Sequence, residues 1–331
     1  MSPLSYSHRP PEELRRRTGL VFDPCFALHN VEFGPELPAR LLAIQAGLMT
    51  TGLWDHMALI APRPATQKEI CRVHALKYFR QVSRDVQRGL GMLSTGDTEV
   101  SALSLDVARK AAGGVLAAVD AVLGPTPIVN AFCAVRPPGH HATRTEGMGF
   151  CIFNHVALAA RHAQKQHGVG RVLIVDWDVH HGNGTQDAFY RDDSVLFFSA
   201  HQHPLYPGTG MRDETGAGRG RGFTINAPLP AGSGYDEILG EIETRLEPRL
   251  ARFKPELILL SCGFDARVDD PLGSFTLADE EFALLTRRVM EWAEDHCSGR
   301  IVSVLEGGYN LATLGGAAAA HVKTLAAYDE E

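Results

Sequence analysis

Short apolar runs rich in β-branched residues recur along this chain, separated by longer stretches whose apolar positions follow a helical spacing. The runs at 19–22, 128–135, 172–176, 195–199, 223–226, 257–261 and 301–305 are predicted strands. The amphipathic stretches at 105–123, 152–166, 236–252 and 279–296 are predicted helices. Alternation of this kind predicts an α/β fold, with a mainly parallel central sheet covered by helices on both faces. No internal repeat, low-complexity tract or long linker divides the chain. One domain, 19–331, is therefore predicted behind an N-terminal tail, 1–18.

In open α/β sheets, ligands bind in the crevice outside the carboxyl ends of the strands. The residues just beyond each predicted strand are thus informative. After Val135 comes Arg136-Pro137-Pro138-Gly139-His140-His141, and Val175 leads into Asp176-Trp177-Asp178-Val179-His180-His181-Gly182-Asn183. Beyond Phe198 lie Ser199, His201 and His203. Leu260 is followed by Ser261-Cys262-Gly263-Phe264-Asp265, and Leu305 by Glu306-Gly307-Gly308-Tyr309. These strand ends all deliver polar residues of catalytic type to one rim, where chance would scatter them over both ends of the sheet.

Asp178 and His180 stand two residues apart on an extended exit from a strand, so both side chains project to the same side. Alone, such a pair reads as strand-end capping; inside this cluster it can hold a cation, with Asp265 arriving from another strand end. Three protein ligands and an open position describe a catalytic zinc site. His140 and His141 border the crevice on a turn that Pro137, Pro138 and Gly139 constrain. Two imidazoles there suit proton transfer to and from a reacting water and a leaving amine, with Asp176 and Asn183 as orienting partners. Tyr309, after two glycines, can give a phenolic hydrogen bond to an oxyanion.

Composition narrows the partners. A net charge of -7 gives no nucleic-acid or anionic-membrane surface. Arg15-Arg16-Arg17 and the Gly/Arg stretch from Gly218 to Gly222 are read as a solvated tail and a flexible loop. No segment reaches the roughly 18 apolar residues of a membrane span, and the N-terminus lacks the apolar core of a signal peptide. The six cysteines are scattered without a CxxC pair, which predicts reduced, buried thiols in a cytoplasmic protein. Cys151 and Cys262, though beside the motifs, are read as packing.

Taken together, the motifs resemble the histone deacetylase superfamily, which includes acetylpolyamine amidohydrolases. The carrying strings are RPPGHHA at 136–142, GFCIFN at 149–154, DWDVHHGNGTQ at 176–186, YPGTG at 206–210, CGFDA at 262–266, DPLG at 270–273 and LEGGYN at 305–310. The resemblance implies a single-domain arginase/deacetylase fold and a zinc-dependent amidohydrolase that removes acetyl or other short acyl groups from acylated primary amines, above all acetyl-lysine. It implies zinc at Asp178, His180 and Asp265, and His141 as general base and acid, bonded to Asn183. His140, paired with Asp176, would give electrostatic support, and Tyr309 would polarise the acyl carbonyl. A monovalent cation, usually potassium, is implied near Asp176, Asp178, His180, Ser199 and Ala200. Asn183 resembles the class II branch, where class I members carry Asp. The implied tunnel walls are Gly149, Phe150, Tyr206 and Leu272, with Asp97 at the rim gripping the substrate backbone and Arg40 lining an internal channel.

The implied partners are an acetylated lysine peptide or protein, or a small acetylated amine, with no nucleic acid and no membrane; assembly into a homo-oligomer stays open. A two-manganese ureohydrolase needs an Asp-x-His-x-Asp arrangement, but Gly182 stands two residues after His180. A catalytically silent acyl-lysine reader would leave the complete set of ligands and Tyr309 unexplained. Acetylpolyamine hydrolysis is the alternative closest to hand. Against it stands Leu272, where polyamine-specific relatives carry Glu to meet an internal ammonium. For it stand acids expected at the rim: Asp97, Glu32 and Glu36.

Overall fold

The strands are nearly continuous apolar runs, and such runs are stable only where both faces of a sheet are covered. The computed structural model describes residues 17–31 and 34–327, and in it these runs form one sheet of eight strands. They are β1 (Arg17–Val21), β2 (Ala58–Leu59), β3 (Ile128–Cys133), β4 (Val172–Asp176), β5 (Val195–Gln202), β6 (Thr224–Leu229), β7 (Leu257–Cys262) and β8 (Ile301–Leu305). The order across the sheet is β2-β1-β3-β8-β7-β4-β5-β6. Every pairing is parallel, so the sheet is wholly rather than mainly parallel.

Two groups of helices provide the cover. Helices Ser104–Leu123 and His155–His167 pack on each other and on the sheet. Helices Ala39–Thr50, Asp279–Cys297 and Leu314–Leu325 form the second group, with contacts of their own to β3 and β7. Strands β4, β5, β7 and β8 are buried at every residue between the two groups.

The predicted elements recur with shifted ends. Strand β1 begins at Arg17 rather than at 19. Strands β5 and β6 run to Gln202 and Leu229 because they pair with each other beyond the expected limit; Pro228 is tolerated there because β6 is an edge strand. The helix expected at 236–252 is interrupted by a π-turn at Ile242–Leu246. Pro248 lacks the N–H that Thr244 would receive, and its ring crowds that carbonyl, so the helix widens just before it. Strand β2, two residues long, is too short to leave a pattern. Among the described residues no helix is long and apolar enough to cross a membrane.

The sheet order matters most for the site. Strands β3, β8, β7 and β4 are neighbours in the middle of the sheet, and their carboxyl ends lead directly into the four motif-bearing segments.

Candidate active site and metal centre

Register brings the motifs level. Asp176 at the end of β4 pairs with Ser261 on β7 and with Ser199 on β5, while Leu305 on β8 pairs with Cys262. Past these ends, Asp178, His180 and Asp265 converge, with ligand atoms all within 4.8 Å of one another. His180 Nδ1 lies 3.0 Å from Asp178 Oδ1 and 3.1 Å from Asp265 Oδ2. Backbone groups orient the carboxylates: Gly307 N–H donates to Asp178 Oδ2 (2.8 Å) and Val179 N–H to Asp265 Oδ1 (2.9 Å). All three side chains are buried.

Two carboxylates facing one imidazole in a buried site leave negative charge that calls for a cation. Burial, and then the neighbouring Asp178 carboxylate, raise Asp265 to about 7, the conflict expected of like charges sharing a site. A divalent ion between them would remove that conflict. The close approach of the backbone fits the same use, because a Cβ on Gly307 would stand 2.0 Å from Asp265 Oδ2. The residues present therefore fit a zinc ion held by two carboxylates and one imidazole.

The tandem histidines flank this centre, their rings 4.0 Å apart. His140 Nδ1–H donates to Asp176 Oδ2 (3.0 Å) and His141 Nδ1–H to Asn183 Oδ1 (2.7 Å). With its Nδ1 hydrogen committed to an acceptor, neutral His141 presents a lone pair on Nε2. Burial opposes charge on His140, but Asp178, Asp176 and Glu306 overcome it and hold the ring well above its ordinary value. Burial drives His141 well below its ordinary value and the charges of His140 and His180 push it further down, outweighing Asp178 and the Asn183 hydrogen bond. Neighbouring imidazoles driven apart in this way suit one protonated and one proton-accepting role.

Tyr309 follows β8, its backbone N–H bonded to Asp270 Oδ2 at 2.7 Å. Burial raises its phenol well above the usual value, Arg40 only partly opposing this, so the ring keeps the proton a donor needs. Arg40, fully buried as an internal arginine, places its guanidinium 4.8 Å from the centroid of that ring. Phe150 stands edge-on to Tyr309 at 5.8 Å, and Tyr206 edge-on to His141 at 5.1 Å. Gly149 has φ +54° and a Cβ there would lie 2.4 Å from His141 Cδ2, so only glycine allows the backbone to come so close. Leu272, half-buried, has its N–H on Asp270 Oδ1 at 2.9 Å, the carboxylate that also holds Tyr309. Ser199 and Ala200 are fully buried in β5, with Ser199 Oγ 2.9 Å from His201 Nδ1.

At the rim the structure departs from expectation. Asp97 is exposed, but its oxygens accept from Gly149 N–H (2.8 Å) and Tyr206 Oη–H (3.1 Å), tying together two residues expected to wall a tunnel. Glu36 is not a rim acid. It is 1% exposed and lies between Arg136 Nε (2.6 Å) and Arg40 Nη1 (2.8 Å). Two guanidiniums in the interior need a carboxylate, and the segment before helix Ala39–Thr50 turns Glu36 inward to provide it. Glu32 lies outside the described residues, as do Arg15 and Arg16. Arg219 of the Gly/Arg stretch pairs with Asp193 at 2.6 Å. Cys151 and Cys262 are buried thiols, raised by desolvation.

Three supporting residues were given no role by the sequence, although Asn154 and Glu306 stand within the GFCIFN and LEGGYN strings. His74 bonds Thr143 O (2.8 Å) and accepts from Asn154 N–H (2.9 Å), and the Asn154 side chain reaches His140 O and Ala142 O. Glu306, part of the LEGGYN string but assigned no task there, lies beneath the tandem-histidine turn. A second cluster, Asp120, His162 and His167, also has ligand-type atoms within 4.8 Å. There Arg72 donates to His162 Nδ1 (2.9 Å), which leaves the ring's own proton on Nε2, facing Asp120 at 2.7 Å. His162 thus offers Asp120 a hydrogen bond rather than offering a cation a lone pair.

Comparison with known proteins accords with this geometry. The model of the histone deacetylase domain matches residues 34–325. A "Probable deacetylase" of Archaeoglobus fulgidus is 41% identical over 297 residues, covering 89% of this chain and 82% of that protein. A "Histone deacetylase-like amidohydrolase" of Pseudomonas aeruginosa is 40% identical over 293 residues, covering 88% and 75%. Among solved structures, "Crystal Structure of HDA15 HD domain" superposes with a TM-score of 0.87 at 37% identity, covering 94% of this chain and 88% of the other.

Proposed function

The chain belongs to the histone deacetylase family, and within it we propose a zinc-dependent deacylase that hydrolyses the amide of an acetylated lysine side chain. One observation carries this: a buried Asp178–His180–Asp265 cluster, a neutral-leaning His141 and a protonated Tyr309 phenol meet at the carboxyl ends of four adjacent strands. Zinc bound by the cluster would supply Lewis acidity toward the acyl carbonyl and the attacking water.

The protein's own groups do the rest. His141 Nε2 takes the proton of the attacking water and later returns one to the leaving amine, with Asn183 holding its tautomer. His140, kept charged by Asp176, stabilises the negative charge that grows on the acyl oxygen. Tyr309 donates to the same oxygen. Gly149, Phe150, Tyr206 and Leu272 form an apolar slot for the lysine stem and keep water from the reacting amide. Potassium near Asp176, Ser199 and Ala200 is supported by the register that sets Asp176 beside Ser199. The catalytic domain takes in 19–331, extended to Arg17 by β1. Six free cysteines support a reducing, cytoplasmic setting.

Support for acyl-lysine over acetylpolyamine comes from two places. Leu272 offers no charge to an internal ammonium, which would lose water without gaining a partner. The acid Glu36 is spent on Arg40 and Arg136 and unavailable to recruit a polycation. The test is kcat/KM for an acetyl-lysine peptide against acetylated putrescine and spermidine, with wild type and Leu272→Glu, alongside metal analysis. The peptide should win with wild type and the gap should narrow with Leu272→Glu. Asp265→Ala should lose both zinc and turnover. A wild type better on acetylpolyamines overturns the substrate, and an Asp265→Ala enzyme with full zinc and normal rates overturns the metal centre.

A further inference from the structure

Glu306 is a fully buried carboxylate that no proton-transfer role uses. Its Oε2 accepts from the N–H of Gly139 (2.6 Å) and of His140 (3.1 Å), and its Oε1 from Ser261 Oγ (3.0 Å). Its own backbone closes the same seam: the N–H donates to Cys262 O, and the carbonyl accepts from Arg40 Nη2 at 2.5 Å. One side chain thus joins the ends of β3, β7 and β8.

The partner geometry shows what this bond controls. The His140 carbonyl accepts from Gly184 N–H (3.1 Å) and Thr185 N–H (3.2 Å). The His140 backbone is therefore gripped at both ends, by the Gly184 and Thr185 amides on its carbonyl and by Glu306 on its N–H. Two successive N–H groups aimed at one oxygen fix the turn's dihedrals, a small anion nest. From that turn the His140 ring reaches Asp176, and the His141 ring lies tilted beside it.

We propose that Glu306 is the positioning residue of the tandem-histidine turn, acting as a double acceptor for the Gly139 and His140 amides. The proposal rests on the deacylase assignment of the site, since that gives the two rings their task. Burial raises the carboxyl to about 7, and a neutral acid still accepts through Oε2, so the acceptor role does not depend on the charge.

That independence supplies the test. In Glu306→Gln the amide oxygen can take both N–H groups and the NH₂ can face Ser261 Oγ, so geometry is kept and charge is lost. Glu306→Ala leaves both amides without an acceptor, and Glu306→Asp is one methylene too short to serve both. With zinc-loaded protein and an acetyl-lysine peptide, Glu306→Gln removes the smallest of the three charges that hold His140 protonated and leaves Asp178 and Asp176, so it should stay within a few-fold of wild-type kcat. Glu306→Ala should lose ~10²-fold in kcat, the scale of a misplaced catalytic group, with KM and zinc content unchanged. Independently of turnover, ¹⁵N-histidine NMR should show the His140 Nδ1–H resonance in wild type and Glu306→Gln, and show it broadened or lost in Glu306→Ala. Should Glu306→Ala fail to fold, Glu306→Asp carries the same readouts. Wild-type rate and an intact resonance in Glu306→Ala overturn the proposal, and so does Glu306→Gln as impaired as Glu306→Ala. A wild type inactive on acetyl-lysine overturns the deacylase assignment instead, while the resonance still decides the role of Glu306.

Discussion

His140 and His141 are adjacent and chemically identical, yet their surroundings drive them in opposite directions. Carboxylates surround one, while the other has an amide partner and a charged neighbour. That difference was partly legible, because Asp176 and Asn183 stand in the same motif as His180. Its size was not, because it depends on burial. Tyr309 shows the same division. Its place after two glycines suggested a donor, but only the packed site shows burial outweighing the Arg40 guanidinium against its ring, so that the phenol keeps its proton. Tyr309→Phe keeps the ring and removes the donor, and loss of one such group costs ~10²–10³ in kcat. Steady-state kinetics with metal analysis should show that loss with zinc retained; a nearly wild-type rate would remove Tyr309 from the chemistry.

At the scale of elements, strands place the site and loops complete it. Strands β4 and β8 were legible to the residue because each is a short, mainly apolar run closed by a charged residue, Asp176 as the last of β4 and Glu306 just after β8. Helix starts were less so: His155–His167 begins three residues later than expected because the Asn154 side chain caps it, accepting from Ala157 N–H at 2.9 Å. The β8 exit passes so near the proposed metal ligands that a methyl at Gly307 would stand 2.0 Å from Asp265 Oδ2 and 2.7 Å from Asp178 Oδ2. Gly307→Ala must therefore displace both carboxylates. Zinc affinity should fall ~10–100-fold, as when groups supporting metal ligands are disturbed. Competition with a chelator measures it, with circular dichroism confirming the fold; unchanged affinity would show that the cradle has room for a methyl.

Across the whole molecule, burial reaches histidines outside the Asp178–His180–Asp265 cluster. Desolvation lowers His29, His74 and His155 from 6.5 to about 4 and His321 to about 3. The unfolded chain takes up these protons near pH 6.5, whereas the folded chain resists them until near pH 4 or below. Unfolding at pH 5 therefore binds protons, and stability should fall as pH drops from about 6.5 to 4. Urea unfolding of metal-free protein across that window should show the slope, and His321→Gln should reduce it by about 1.4 kcal/mol per pH unit, one proton's share. An unchanged slope in that variant would mean that His321 titrates alike in both states. By itself the sequence determined the parallel α/β layering, the carboxyl-end rim and the residue types gathered there, because period and strand-end position are local properties of the chain. Only the tertiary structure decided that Glu36 faces inward to two arginines, that Asp97 ties Gly149 to Tyr206, and that Glu306 holds the His140 turn. Those partners are brought together by sheet order and helix packing, and whether a carboxylate meets solvent, an arginine or a backbone amide is settled by what closes over it.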